Sequence, residues 1–186
     1  MVDFPKNAVT VVIGGGVMGL FSIAFAKLRG AALTILSEPV AYRRDMAKQM
    51  GADIVHDPAE SDLENIVNEM TAGRGAHVTV EAVGKPDLIA RCVELTRPRG
   101  TVLMIGVPPE GSELPYDLYD LHYREITLKG AFGRGGVFEK ALQLLPKLQL
   151  DAIVSGRFPL SGIADGITAS ARGHGVKFTV CPNMPD

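Results

Sequence analysis

Three consecutive glycines follow a short apolar run near the start of the chain, and they restrict its fold more than any other feature. The run is AVTVVI at 8–13, and the helix-like pattern VMGLFSIAFAKLR follows the glycines directly. Gly14, Gly16 and Gly19 thus form G-x-G-x-x-G between a predicted strand and a predicted helix. In that context the first glycine allows a tight turn, the second lets a pyrophosphate approach the backbone, and the third lets helix and strand pack closely.

The start of the predicted helix offers a second reason for a phosphate ligand. The first backbone N–H groups of a helix have no partner within it, and they carry a partial positive charge. The amides of Val17 and Met18 are therefore the predicted donors to an anion. The alternative is that the glycines only turn the chain sharply, as in many flavodoxin-like and methyltransferase sheets.

An acidic residue lies where a dinucleotide site needs one. Glu38 comes nineteen positions after Gly19, at the end of LTILSE, where a carboxylate can accept both hydroxyl groups of a ribose. The same carboxylate would repel a 2′-phosphate by up to about 4 kcal/mol at 4 Å and an effective dielectric near 20. NAD is therefore favoured over NADP. Arg43 or Arg44 could instead meet a 2′-phosphate, and the alternative for this pair is an exposed basic helix face.

Short apolar runs alternate with helical patterns along most of the chain, which predicts an α/β fold. The runs are apolar almost throughout, as expected for parallel strands that helices cover on both faces. Right-handed crossovers then give a doubly wound, six-stranded parallel sheet of the Rossmann type. The predicted strands are 8–13, 32–37, 52–56, 77–83, 101–107 and 125–132.

The last part of the chain exceeds what such a sheet requires. We predict a nucleotide-binding domain at 1–134 and a C-terminal helix-strand extension at 135–186. The extension contains VFEKALQLLPKLQL, a helix interrupted at Pro146, followed by the helix SGIADGITASAR and the strand VKFTVCP. It is expected either to cap the domain or to pack against a neighbouring one.

Three of the predicted strands finish in residues that suit close backbone approach. The segments are EAVG at 81–84, IGVPP at 105–109 and KGAFG at 129–133. In open parallel sheets a ligand lies beyond the carboxyl ends of the strands, at the point where the strand order reverses. These segments therefore predict a path for the second half of a dinucleotide.

Composition excludes several other classes of function. The 19 basic and 21 acidic residues give a net charge of −2, which is too balanced for sequence-independent binding of nucleic acid or of an acidic membrane surface. No apolar run approaches the roughly 20 residues of a membrane helix, and no secretory leader is recognisable. Cys92 and Cys181 are far apart, so we predict a reduced, cytoplasmic protein without disulfides.

The sequence gives no sign of a metal site or of catalytic side chains. A catalytic zinc needs three protein ligands from Cys, His, Asp or Glu. The histidines are scattered, without a Cys-x-x-Cys or a His-Glu pair. They are His56, His77, His122 and His174. We therefore assign neither a metal ligand nor a catalytic residue.

These segments, taken in order, resemble the cofactor-binding half of the medium-chain dehydrogenase/reductase family, of the zinc-dependent alcohol dehydrogenase type. The resemblance covers nearly the whole chain. It rests on VVIGGGVMGL, SEPVAYRRDMAKQMGADIVHDP, VEAVG, RPRGTVLMIGVPP, ITLKGAFG, RFPLSGIADGI and GVKFTVCP. The SEP turn, the spacing of Glu38 and Arg43, and HGVKFTVCPNMPD are most similar to the polyol, threonine and butanediol dehydrogenase branch.

The resemblance implies a role for each matching position. Glu38 would bind the adenosine ribose, Arg43 would lie against the adenine, and Lys177 would face the pyrophosphate; without the resemblance, Lys177 is equally well a solvent-facing lysine. Further positions would approach the cofactor, the last two of them through backbone at the nicotinamide carboxamide. These are Val83, Gly84, Val107 and Phe132.

The family also has a zinc-containing catalytic domain that this sequence does not include, so we expect a fragment that binds cofactor and is inactive alone. The implied function is the NAD(H)-binding domain of an alcohol or polyol dehydrogenase, with zinc only in the missing domain. The alternatives are the cofactor domain of a zinc-free NADPH quinone or enoyl reductase and a non-catalytic nucleotide-sensing or scaffolding module. The resemblance also implies a homodimer through the sixth strand, EITLKGAF.

Overall fold

A computed structural model describes residues 4–133, 136, 138–148, 153–173 and 175–184. The strands are β1 (Val9–Ile13), β2 (Leu33–Ser37), β3 (Ile54–His56), β4 (Ala76–Glu81), β5 (Thr96–Met104), β6 (Thr127–Gly130), β7 (Val154–Phe158) and β8 (Lys177–Val180). The helices are α1 (Val17–Leu28), α2 (Ala41–Gln49), α3 (Leu63–Thr71), α4 (Pro86–Leu95), α5 (Leu118–Tyr123), α6 (Phe138–Leu144) and α7 (Ile163–Ala171). None of the helices in these ranges is long and apolar enough to cross a bilayer.

Six strands form one sheet in the order β3-β2-β1-β4-β5-β6. Each neighbouring pair runs parallel, including β5 with β6. The order reverses between β1 and β4, which is the Rossmann arrangement, and it confirms the predicted fold class.

The strands are largely apolar in their buried parts because helices cover both faces of the sheet. On β1, Val12 belongs to a core cluster with Leu20 and Ile23 of α1. Its neighbours Val11 and Ile13 point to the other face and belong to the cluster that α3 and α4 cover. Since successive side chains on a strand alternate between faces, both faces of β1 carry buried side chains, which are apolar except for Thr10.

Glycines follow the ends of the first two helices. Gly30 follows α1 with φ of +83°, and Gly51 follows α2 with φ of +98°. These angles lie in the left-handed region, which glycine adopts without steric cost at a helix C-terminus. The chain therefore leaves each helix through a short turn and enters the next strand directly.

Three strands end earlier than predicted. β4 ends at Glu81, β5 at Met104 and β6 at Gly130, so Val83, Val107 and Phe132 lie in loops two or three residues beyond them. The reason at β4 is that the amides of Val83 and Gly84 bond to the Glu81 side chain rather than to a neighbouring strand. The prediction that these residues close the strands was therefore wrong, whereas their position at the carboxyl edge was right.

The C-terminal extension contains a strand that the sequence did not reveal. The helix around Pro146 is α6 followed by a 3-10 turn at Leu145–Lys147, as a proline without an N–H donor requires. β7 and β8 then form a separate two-stranded parallel sheet, with α7 between them. The predicted boundary at 134/135 lies outside the described residues, so the two-part division stays a prediction.

Candidate functional site

The turn between β1 and α1 leaves space next to its backbone. Gly14 has φ of +103°, and an ideal Cβ there would lie 2.7 Å from Cγ2 of Val83. At Gly19 a Cβ would overlap the carbonyl oxygen of Gly14, so this glycine lets α1 pack against β1. At Gly16, by contrast, no atom of the described chain beyond the adjacent residues lies within 4 Å of an ideal Cβ. Gly14 and Gly19 thus have the turn and close-packing roles that the pattern predicted, and Gly16 leaves its backbone open; the approach of a pyrophosphate to Gly16 stays a prediction.

Helix α1 begins at the open part of this turn. Gly16 is its N-cap, and a glycine has no side chain that could form a capping hydrogen bond. The first amides of the helix, those of Val17 and Met18 among them, are therefore available to an anion at this end.

The middle glycine, Gly15, holds the predicted acidic residue. Its N–H donates to Oε2 of Glu38 at 2.6 Å, while Oε1 of Glu38 accepts from the N–H of Val40 at 2.9 Å. Glu38 is only 4% exposed, and a Cβ on Gly15 would lie 2.8 Å from its Cγ. Two backbone amides thus fix the carboxylate against the glycine turn. The G-x-G-x-x-G pattern assigns no role to Gly15. The one sign of its role in the sequence is that a glycine also occupies the variable position between Gly14 and Gly16.

Two neighbouring arginines have different partners. Arg44 donates to the carbonyl oxygen of Glu38 at 2.9 Å and pairs with Asp57 at 2.8 Å, so its guanidinium secures the loop after β2. Arg43 lies with Nη1 3.9 Å from Oε2 of Glu38 and donates from Nη2 to the carbonyl oxygen of Gly175 at 3.4 Å. Arg43 is therefore the one of the two that lies beside the Glu38 carboxylate.

A second glutamate, which the sequence analysis did not single out, organises the turn after β4. Glu81 is fully buried, and its Oε1 accepts from the N–H groups of Val83 and Gly84 at 2.8 Å each. Its carbonyl oxygen accepts from Ile105 and Gly106, which ties the end of β5 to the end of β4. The other carboxylate oxygen, Oε2, is buried without a hydrogen-bond partner in the described chain. Its side chain thus sets the path of EAVG.

The loops beyond β4, β5 and β6 present side chains to solvent at the same edge of the sheet. Gly84 has φ of +91°, and a Cβ on it would lie 2.5 Å from the carbonyl oxygen of Val107. The exposed fractions are 46% for Val83, 71% for Val107 and 72% for Phe132. These residues therefore lie where a ligand crossing from β1 towards β6 would meet them.

Lys177, at the start of β8, shares a pocket of about 350 Å³ with Val17, the first residue of α1. The C-terminal extension thus brings a basic side chain towards the glycine turn. Met18 faces elsewhere: it lines an apolar pocket of about 330 Å³ with Phe21 and Phe25. Of Met18, therefore, only the backbone amide in the first turn of α1 is a candidate for binding an anion there.

The histidines that lie in the described ranges are dispersed. His56 is buried between Ser37 and Ser61, with 2.9 Å from a ring nitrogen to each, and His77 accepts a backbone hydrogen bond far from the glycine turn. His174 lies outside the described residues. Within them, no group of three or more His, Cys, Asp or Glu side chains could hold a metal ion. Burial and the charge of Glu81 raise the pKa of the Cys92 thiol, which suits a core residue rather than a nucleophile.

Together these groups can hold a ligand that has an anionic centre and a neighbouring diol. The open backbone at Gly16 admits the anion, and the fixed carboxylate of Glu38 has acceptor capacity for hydroxyl groups. The exposed loops continue along the sheet edge from there.

Comparison with known sequences gives a consistent result. Residues 17–147 match the family model described as zinc-binding dehydrogenase. The L-threonine 3-dehydrogenase of Pyrococcus horikoshii is 33% identical over 159 residues, which are 83% of this chain and 45% of the relative. The sorbitol dehydrogenase of Gallus gallus is 28% identical over 170 residues, which are 89% and 47%. The chain thus spans about half the length of these curated relatives.

Comparison with solved structures also finds dehydrogenases. A protein of Sinorhizobium meliloti, described as a zinc-binding dehydrogenase and solved with NADP bound, superposes with a TM-score of 0.87 at 28% identity, over 96% of this chain and 54% of that chain. The 2R,3R-butanediol dehydrogenase of Bacillus subtilis gives a TM-score of 0.86 at 27% identity, over 96% and 52%.

Proposed function

This chain belongs to the zinc-binding dehydrogenase family, of which it is an NAD(P)-binding domain, and we propose that it prefers NAD(H) and serves an alcohol or polyol dehydrogenase. The relatives that support this substrate class act, by their names, on threonine, sorbitol and butanediol. We also propose that it works in the cytoplasm, because Cys92 and Cys181 are both free thiols.

The observation that carries the preference for NAD(H) is the fixed carboxylate of Glu38. Its two backbone donors hold it at the glycine turn, where the ribose hydroxyl groups of an adenosine are within its reach. A 2′-phosphate would bring at least one more negative charge against a carboxylate that is already buried. Two such charges 4 Å apart repel by up to about 4 kcal/mol at an effective dielectric near 20.

Arg43 is the reason to keep a second candidate, the cofactor domain of an NADPH-dependent reductase. Its guanidinium is 3.9 Å from the Glu38 carboxylate, and its Nε is buried without a hydrogen-bond partner among the described residues. An arginine in that position can pair with a 2′-phosphate. The relative from Sinorhizobium meliloti was solved with NADP.

The remaining contacts follow the sheet edge. We propose that the amides of Val17 and Met18, together with Lys177, hold the pyrophosphate. The nicotinamide half would lie along the loops beyond β4, β5 and β6. The residues assigned to it are Val83, Gly84, Val107 and Phe132. When bound, the nicotinamide supplies hydride transfer; this chain holds and orients it. The described residues do not bring three zinc ligands together, so we derive no step through zinc.

Glu38→Gln is expected to weaken NADH binding about tenfold or more, in the range of a lost charge-assisted hydrogen bond. The same change should leave NADPH binding equal or tighter, because a negative charge next to the 2′-phosphate is removed. Isothermal titration with each cofactor measures both affinities, and the wild-type chain should bind NADH at least about tenfold more tightly. Glu69→Gln, an exposed carboxylate on α3, is the matched control and should change neither affinity.

Two results would count against the proposal in different ways. Tighter binding of NADPH by the wild-type chain would assign Arg43 to a 2′-phosphate and favour the reductase. Failure to bind either cofactor, in a chain whose thermal unfolding is normal, would leave the non-catalytic module as the better explanation.

We further propose a homodimer through β6. This strand is the last in the sheet order, so one row of its backbone N–H and C=O groups has no strand beside it in the described chain. A strand at the edge of a sheet favours pairing with a second copy. Sedimentation of the chain at tens of micromolar should give about twice its mass of 19.8 kDa; a single species at the monomer mass over that range would contradict the dimer.

A further inference from the structure

A small basic pocket lies at the edge of the sheet opposite the glycine turn. It has a volume of about 100 Å³, and Val9, Arg74, His77 and Arg97 are among the residues that line it. Val9 begins β1, His77 is the second residue of β4, and Arg97 is the second residue of β5. These are the amino ends of parallel strands, whereas the glycine turn lies at their carboxyl ends. The pocket is therefore separate from the proposed cofactor site.

The turn between α3 and β4 is built to bring Arg74 and Arg97 together. Gly73 and Gly75, on either side of Arg74, both have positive φ, and Arg74 donates from Nε to the carbonyl oxygen of Thr71 at 3.0 Å. An ideal Cβ on Gly75 would lie 2.8 Å from the backbone nitrogen of Arg97. The turn thus packs directly on the start of β5, and Arg74 keeps its two terminal nitrogens for other partners.

The imidazole of His77 adds a donor of fixed orientation. The N–H of Val9 donates to Nδ1 of His77 at 3.1 Å. Because Nδ1 accepts, the neutral ring carries its proton on Nε2. Burial lowers the pKa of His77, and the positive charges of Arg97 and Arg74 lower it further. These two arginines are the charged groups that act on the ring, and both disfavour a third positive charge beside them.

The pocket therefore brings together several hydrogen-bond donors, of which at least one lacks an acceptor in the described chain. Nε of Arg97 is buried and has no hydrogen-bond partner in the described part of the chain. Neither Arg74 nor Arg97 forms an ion pair with a described carboxylate, whereas other arginines do. Those that do are Arg43, Arg44, Arg91, Arg99 and Arg124. Two unneutralised guanidinium groups at one pocket repel each other, and an anion between them would relieve that repulsion.

We propose that this pocket binds a phosphoryl group, either as free inorganic phosphate or as part of a small phosphomonoester. Arginine matches phosphate oxygens in charge and geometry, and the Nε2–H of neutral His77 can donate to a third oxygen. The volume suits one tetrahedral oxyanion, and Arg74 is exposed enough to leave room for the rest of an ester. This site goes beyond the proposed cofactor role and does not depend on it.

A calorimetric titration of the chain with inorganic phosphate, in a buffer without other multivalent anions, tests the proposal. The wild-type chain should bind saturably, and Arg97→Gln should weaken binding about tenfold or more, as the loss of one charge-assisted hydrogen bond predicts. Arg74→Gln, at an exposed side chain, should weaken it similarly without a risk to folding. Arg157→Gln removes an equal charge from exposed β7 and should leave the affinity unchanged. Phenyl phosphate in place of phosphate tests the ester.

The ring signals of His77 in NMR spectra separate this pocket from the glycine turn, where phosphate could also bind. A bound anion favours the imidazolium, so phosphate should raise the pKa of His77 in the wild-type chain but not in Arg97→Gln. Tighter binding of phenyl phosphate would identify an ester as the ligand, and tighter binding of phosphate the free ion; both support the site. Saturable binding that leaves the His77 signals unmoved, or no binding up to about 10 mM, the range of weak non-specific association, would overturn it.

Discussion

Gly19→Ala is expected to destabilise the chain by about 3 kcal/mol, at the upper end of what overpacking usually costs. A Cβ on Gly19 would overlap the carbonyl oxygen of Gly14 and lie 2.9 Å from its carbonyl carbon. Both are backbone atoms of the turn, so no side chain can rotate away. Helix α1 would have to shift away from β1, and the core contacts of Leu20 and Ile23 would be weakened. Urea unfolding followed by circular dichroism measures the change.

Gly16→Ala is the control for that experiment, because it adds the same methyl group three residues away where there is space. Gly16 has φ of −70°, which alanine adopts without strain. The free energy of unfolding of Gly16→Ala should stay within about 0.5 kcal/mol of the wild-type value. It could rise slightly, because alanine reduces the conformational entropy of the unfolded chain. If Gly19→Ala were as stable as this control, α1 would not depend on the third glycine.

The fold could be predicted from the sequence because its signals are local. Continuous apolar strands, helical periodicity between them and glycines at Gly30 and Gly51 fix the alternation and many of its boundaries. The position of Glu38 at the end of the second strand was predictable for the same reason. Because β2 pairs in parallel with β1, that strand end lies beside the glycine turn.

The interactions that shape the site are long-range, and a single sequence does not reveal them. Gly15 and Glu38 meet across 23 positions, and their separation does not indicate that the amide would donate to that carboxylate. Glu81 looked like an ordinary residue of EAVG, yet its carboxylate takes the amides that would otherwise have continued β4. The strand VSGRF was missed because its glycine and arginine interrupt the apolar pattern.

Gly16→Ala is also expected to lower the affinity for NADH about 100-fold, or about 2.7 kcal/mol, while the fold is preserved. The open space at Gly16 is where a pyrophosphate can approach the backbone, and a methyl group there would hold the phosphate oxygens away from the first amides of α1. The loss should therefore be larger than that of Glu38→Gln, which removes one contact at the ribose. Calorimetric titration with NADH, at a temperature well below the unfolding transition, measures the affinity of the variant for NADH.

The same variant distinguishes a phosphate-binding turn from one that only reverses the chain. If Gly16 serves the ligand, binding and stability separate: NADH affinity falls and the urea midpoint does not. If the glycines only shape the turn, a residue with ordinary φ and open surroundings can be alanine without consequence, and NADH would bind Gly16→Ala as tightly as the wild type. That result would remove Gly16 from the cofactor site. Gly19→Ala cannot make this distinction, because it disturbs the fold and the site together.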